Sequence, residues 1–450
     1  MRRLLLSAIA LSLTLAPARA DVTLPGVLGS HMVLQRDKPV TIWGWADPGE
    51  EVTVSFAGHE AKATANRQGD WRVRLPKMEA NAKGQRLTVK GKNAIELDDV
   101  LVGEVWVGSG QSNMEWPMTL TQNAKERISA ANHPNIRLYH IQKLQASSPL
   151  RDVPVVNVRS SWKACTPETV PNFSAVLYYF GARLQKDLDV PIGLINSSWG
   201  GSPIEQWITG AKTPAPQMYN GMIAPIAPLA IRGVIWYQGE SNVSQGLAYL
   251  DKKKALIEGW RKFWGKEMPF YFVQIAPFSG YGKGFLPALW EAQVATLKIP
   301  NTGMAVTTDL VDNIADIHPQ NKLDVGHRLA LWALAKTYGK KDVVYSGPLY
   351  KSMKVEGNKA VLSFAQVGGG LKARDDKPLT GFEVAGEDGK FVPAEAVIDG
   401  ETVVVSSKDV SSPAQVRFGW NNVANPNLMN KEGLPASPFQ TKDWKGGTGE

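Results

Sequence analysis

Cysteine is almost absent from this chain of 450 residues, in which Cys165 stands alone. An internal disulfide is therefore excluded, and the fold must rest on core burial, which 43% hydrophobic content allows. Long apolar runs are equally scarce. One covers residues 4–16, about 13 positions where roughly 20 are needed to cross a bilayer. It follows Arg2 and Arg3, is broken by Pro17, and precedes Ala18-Arg19-Ala20. A basic start, a short apolar core and an A-x-A site predict a secretory signal peptide over 1–20, export to the periplasm or beyond, and a mature start at Asp21. Nothing later is long and apolar enough for a membrane span. A strong charge of one sign is missing too. Without Arg2, Arg3 and Arg19 the 50 basic residues fall to 47 against 42 acidic, a net +5. The one short basic run, 252–254, lies in a helical stretch where a solvated face accounts for it. A nucleic-acid partner is not supported.

Three textures follow along the chain. Residues 21–99 alternate polar and apolar positions between turns such as Asp47-Pro48-Gly49, the pattern of a small antiparallel β domain. Residues 344–450 repeat that texture and predict a β-rich C-terminal domain. Between them, over 100–343, apolar runs at 100–107, 136–141, 192–195, 234–237, 270–275 and 304–307 alternate with amphipathic stretches at 173–188, 250–263 and 286–297. Strands apolar on both faces, alternating with helices, predict an α/β domain built on a parallel sheet covered on both sides. Ligands of such sheets sit at the carboxyl ends of the strands.

Four of those ends carry polar residues. The first strand runs into Gly108-Ser109-Gly110-Gln111-Ser112-Asn113-Met114. Such a turn, opening a helix, can expose a nucleophile with its own N–H aimed at an oxyanion. It is not the G-x-S-x-G elbow, because Met114 stands where glycine is required. Taken alone, a serine in a glycine turn is ordinarily a cap. The second end is Asn196-Ser197-Ser198-Trp199-Gly200-Gly201, where bare N–H groups can approach an acyl group, though a tight turn explains it as well. The third is Gln238-Gly239-Glu240-Ser241-Asn242. The Gln238 amide can donate to developing negative charge, and Glu240 is read as a carboxylate that fixes the turn rather than as a general acid. The fourth is Asp316-Ile317-His318-Pro319. Pro319 suits a first helical position, which sets His318 in a loop where a base can work. His327 completes D-x-x-H with Asp324, but at i,i+3 inside a helix that is an ordinary surface pair.

In this order the four pieces resemble the SGNH hydrolases, and within them the sialate O-acetylesterase-like branch of carbohydrate esterases. The similarity takes in His31-Met32-Val33-Leu34-Gln35-Arg36, Trp43-Gly44-Trp45, the run from Gly110 to Pro117, Tyr219-Asn220-Gly221-Met222, the Gln238 turn, Asp316-Ile317-His318-Pro319 and Asn430-Lys431-Glu432-Gly433. It implies a flavodoxin-like three-layer domain between the two β domains. It implies Ser112 as nucleophile, His318 as base, and oxyanion donors from the Ser112 N–H, Gly200 or Gly201, and the Gln238 side chain. The reaction would pass through an acyl-enzyme on an O-acetylated carbohydrate, with no metal and no cofactor. Two departures stand out. The superfamily places an Asp three residues before its base, and here that residue is Ala315. Either Asp316 orients the imidazole from an unusual offset or the site is a Ser-His dyad, the reading preferred here. Longer relatives also carry an insertion where this chain has only Ser202 to Met218, which reduces any sugar-contacting lobe built there. The substrate expected is acetylated sialic acid or a plant wall polysaccharide such as xyloglucan or xylan. A non-catalytic carbohydrate-binding protein stacking sugars on Trp43, Trp45 and Trp420 is the contrasting reading.

Overall fold

The computed structural model describes residues 21–153, 161–210 and 216–448. The signal-peptide segment lies outside them. The first strands are β1 (Val33–Gln35), β2 (Val40–Trp45), β3 (Glu51–Phe56), β4 (His59–Thr64), β5 (Asp70–Leu75) and β6 (Asn81–Lys90). β2 and β5 pair as an antiparallel ribbon, and β3 pairs antiparallel with β4 on one side and β6 on the other. The seventeen-residue β7 (Ala94–Gly110) then carries the chain through position 99 without a break. Over 94–100 its burial alternates, as expected of a strand with one wet face; over 101–110 every residue is buried. The amino end of β7 pairs with β6, and its carboxyl end is a central strand of the parallel sheet. Apolar side chains of both regions merge in one core, from Val22 and Phe56 through Trp106 to Trp332.

The parallel sheet adds β8 (His133–His140), β9 (Lys163–Cys165), β10 (Ile192–Ser198), β11 (Gly233–Tyr237), β12 (Phe270–Val273) and β13 (Thr302–Ala305). Its order is β13-β12-β11-β7-β10-β8, with β9 antiparallel at the edge. The expected α/β parallel sheet is present, but its order departs from the flavodoxin type: β7 sits between β10 and β11 rather than beside β8. That order brings the carboxyl ends of β7, β10 and β11 side by side.

The helices that matter for the site are α1 (Ser112–Glu115), α2 (Ala124–Ser129), α3 (Ala175–Leu188), α4 (Ala248–Trp264), α5 (Phe285–Ala295) and α6 (Lys322–Trp332). The Ser174 hydroxyl caps α3 by accepting the Leu177 N–H. α6 packs tightly on α3 at Gly326, where a Cβ would lie 2.7 Å from the Val176 carbonyl oxygen. That close approach fixes the helix just after His318. Asn321 caps α6, so Pro319 precedes the helix by three residues instead of opening it. No helix among the described residues is long and apolar enough to cross a membrane.

The C-terminal strands form two four-stranded antiparallel sheets and a two-stranded ribbon around their own core of Leu362, Val384, Val403, Phe418 and Phe439. Specific bonds dock this unit on the middle region. Gln274 donates to Ser437, Asn422 to the carbonyls of Tyr281 and Gly282, and Gln440 to Glu291.

Candidate active site

The chain turns sharply at Gly110, with φ +134°, and a Cβ there would stand 2.1 Å from the Tyr237 carbonyl oxygen. Only glycine permits so close an approach of β7 to β11. The Gln111 N–H then donates to that same Tyr237 oxygen, and Gln111 is the residue from which α1 starts. Ser112 is therefore the first helical residue, with its N–H among those a helix cannot satisfy internally. Its Oγ lies 2.9 Å from His318 Nε2, across 206 positions of sequence.

The imidazole stacks on Trp116, with centroids 4.7 Å apart and planes 20° from parallel. Asp316 does not reach the far ring nitrogen in a hydrogen bond: Oδ1 is 3.6 Å from Nδ1 and instead accepts the His318 backbone N–H at 2.8 Å. Burial, reinforced by the Lys322 charge and opposed by Asp316, lowers the His318 pKa. The ring is accordingly neutral, and able to accept a proton, at neutral pH.

The other residues singled out in the sequence divide. Gly200 lies against the nucleophile, where an added Cβ would sit 3.4 Å from Ser112 Cβ. Its N–H, however, donates to Glu115 Oε2 at 2.7 Å, and Glu115 Oε1 pairs with Lys143 Nζ at 2.5 Å. Gly201 follows at φ +73° with open space around it. Gln238 is not aimed at the site. Its amide is wholly buried, with Nε2 donating to Asn242 Oδ1 at 2.6 Å and to the Ser202 carbonyl at 3.3 Å, while Oε1 accepts from the Tyr249 hydroxyl at 2.8 Å. The expectation that it supplies an oxyanion donor is corrected, because both of its donors are spent holding the turn. Glu240 is the buried structural carboxylate expected, accepting from Asn113 Nδ2 at 2.6 Å, and burial raises its pKa. His327 lies inside α6 among the charges of Arg183, Asp324, Arg127 and Asp187, apart from Ser112. Asn113, Glu115 and Trp116 were given no role in the sequence reading, where they stand only within the run from Gly110 to Pro117 that carries the resemblance.

A cleft of about 500 Å³ opens at Glu115 and Pro117, three and five residues after Ser112, and is lined further by His140, Gln142, Lys143 and Asn172. Of the tryptophans of the binding-only reading, Trp45 and Trp420 are half-buried, and Trp43 and Trp45 line a separate cleft. Trp43 is buried, the Arg151 guanidinium lies over Trp45 at 5.5 Å, and Trp420 packs on Trp444. No group of three or more acidic, histidine or cysteine side chains suited to a metal occurs among the described residues.

Residues 102–335 match the family model described as carbohydrate esterase, sialic acid-specific acetylesterase. Human sialate O-acetylesterase is 33% identical over 395 residues, covering 75% of each chain, and the mouse enzyme is 30% identical over 419 residues, covering 75% of this chain and 77% of its own. A carbohydrate acetylesterase of known structure from Xanthomonas citri superposes with a TM-score of 0.89 at 41% identity, over 94% of this chain and all of that one. The chain belongs to the sialic acid-specific acetylesterase family of carbohydrate esterases, a family of carboxylic ester hydrolases.

Proposed function

We propose that this protein removes O-acetyl groups from carbohydrates through an acyl-enzyme on Ser112, in an SGNH-type site. The observation that carries this reading is the 2.9 Å approach of Ser112 Oγ to His318 Nε2 at a strand edge, with a cleft opening at Glu115 and Pro117. Ser112 Oγ attacks the acetyl carbonyl carbon while His318 Nε2 takes its proton. The tetrahedral oxyanion forms at the amino end of α1 and accepts the Ser112 N–H, with the Gly201 N–H as second donor, since that of Gly200 is held by Glu115. Collapse expels the sugar hydroxyl, which takes the proton back from His318. Water then attacks the acetyl-serine, again deprotonated by His318, and acetate leaves.

The base works here as one half of a dyad. Asp316 spends its oxygen on the backbone N–H of His318 and influences the ring only through its charge. Acylation and deacylation proceed on this scheme without metal or cofactor. The substrate is a sugar O-acetyl ester, with sialic acid and plant wall polysaccharide as the two sources to screen. Three domains, 21–99, 100–343 and 344–450, with export after cleavage at Ala20, complete the reading; amino-terminal sequencing of the exported protein should begin at Asp21.

The test is acetate release from an acetyl ester panel by wild type and Ser112→Ala. Loss of at least a thousandfold in the variant supports the assignment. Equal release by both removes Ser112 from the chemistry.

A further inference from the structure

Lys322 is an improbable residue where it stands. It is the first residue of α6 and fully buried, where an ammonium meets both a desolvation penalty and the positive end of the helix dipole. Neither helix propensity nor packing accounts for it. Its bonds do. Nζ donates to Asn113 Oδ1 at 2.6 Å and to the Pro319 carbonyl at 2.5 Å, and it lies over the rings of Trp116 and Tyr237 at 5.5 and 5.6 Å. Asn113 in turn donates Nδ2 to the Ile317 carbonyl at 3.1 Å as well as to Glu240. The two peptide carbonyls that flank His318 are thus both held by one buried pair, and Asn113 is the residue next to the nucleophile. A second bridge runs beneath the reactive one, joining the Ser112 turn to the His318 loop through buried side chains.

We propose that Lys322 is the positioning residue of the base, fixing His318 against Ser112 through Pro319 and Asn113 in place of a carboxylate on the imidazole. The inference rests on the Ser112–His318 reading and deepens it. A carboxylate partner would orient the ring and favour the imidazolium; Lys322 holds the loop and disfavours it. The charged groups around the pair are few. Lys322 and Asp316 act on His318 in opposite senses, while Glu240, Asp316 and Asp312 act on Lys322. Burial brings the Lys322 ammonium down to about 7, so it is charged throughout the acid range in which His318 titrates. Acid then costs activity only once His318 is protonated against that repulsion.

The experiment is the pH dependence of kcat/KM for a small acetyl ester in wild type, Lys322→Met and Lys322→Gln. Met removes donor and charge; Gln keeps a donor without the charge. The expected result is a fall in kcat of about a hundredfold in Lys322→Met, the scale of a displaced base. KM should change little, and the acid limb should move to higher pH in both variants. Lys322→Gln should recover part of kcat. If Lys322→Met does not fold, the shifted limb in Lys322→Gln carries the test. An unmoved limb in either folded variant overturns the proposal, as does wild-type kcat in Lys322→Met. Ser112→Ala run in parallel keeps the outcomes apart: activity surviving there sinks the nucleophile itself, whereas its loss with an unmoved limb sinks only the role of Lys322.

Discussion

The turns after β7 and β11 leave neighbouring strands at the same edge of the sheet, and in sequence they look alike. Both place glycine beside a polar residue, Gly110-Gln111-Ser112 in one and Gln238-Gly239-Glu240 in the other. Their fates differ because of what each can bond. Ser112 opens a helix, with its hydroxyl turned to an imidazole. Gln238 is ringed by Tyr249, Asn242 and Ser202, which satisfy every hydrogen-bonding group it has. One turn is arranged to do chemistry, the other to hold the first in place. A residue type capable of a catalytic task performs it only if its neighbours leave its polar atoms unspent.

That contrast can be broken at several points. The largest effect belongs to the exposed turn, where Ser112→Ala and His318→Ala should each lower kcat by at least a thousandfold without loss of fold, measured as acetate release alongside circular dichroism. Gly110→Ala comes next. Its Cβ must displace the Tyr237 carbonyl in a strained backbone, so the expected outcome is a loss of more than about 3 kcal/mol or insoluble protein, read by denaturant unfolding. Gln238→Ala should mainly cost stability, about 1–3 kcal/mol for each buried partner left unpaired, with kcat of the folded fraction within about tenfold of wild type. A thousandfold loss of kcat at full stability there would return Gln238 to the oxyanion site. The smallest effect is predicted for Asp316→Asn, with kcat within about threefold. Since Asp316 raises the His318 pKa, its removal should shift the acid limb slightly downward.

Much of this was legible before any coordinates. The parallel strands at 192–195, 234–237 and 270–275 became β10, β11 and β12, because a strand buried on both faces has to be apolar throughout. The Ser112–His318 meeting was implied by the family resemblance, since the two polar loops taken singly read as a cap and a turn. The strand order did not follow, since pairing partners of similar apolar strands are set by packing between them rather than by composition. Gln238 was misassigned because a sequence gives the donors a side chain has and not how many are already used. Lys322 and Glu115 were overlooked for the opposite reason. A lysine or glutamate in a helix is read as solvated until its contacts show otherwise, and only the fold buries Lys322 beside the His318 loop and sets Glu115 against Gly200.

The proposed reaction requires a covalent intermediate at one hydroxyl. Rapid acid quench during turnover of an acetyl ester, followed by peptide mass mapping, should find one acetyl group on Ser112 in wild type, and none there in Ser112→Ala or His318→Ala. Turnover with the acetyl group on another residue, or with no acylated residue under conditions where deacylation limits the rate, would contradict it.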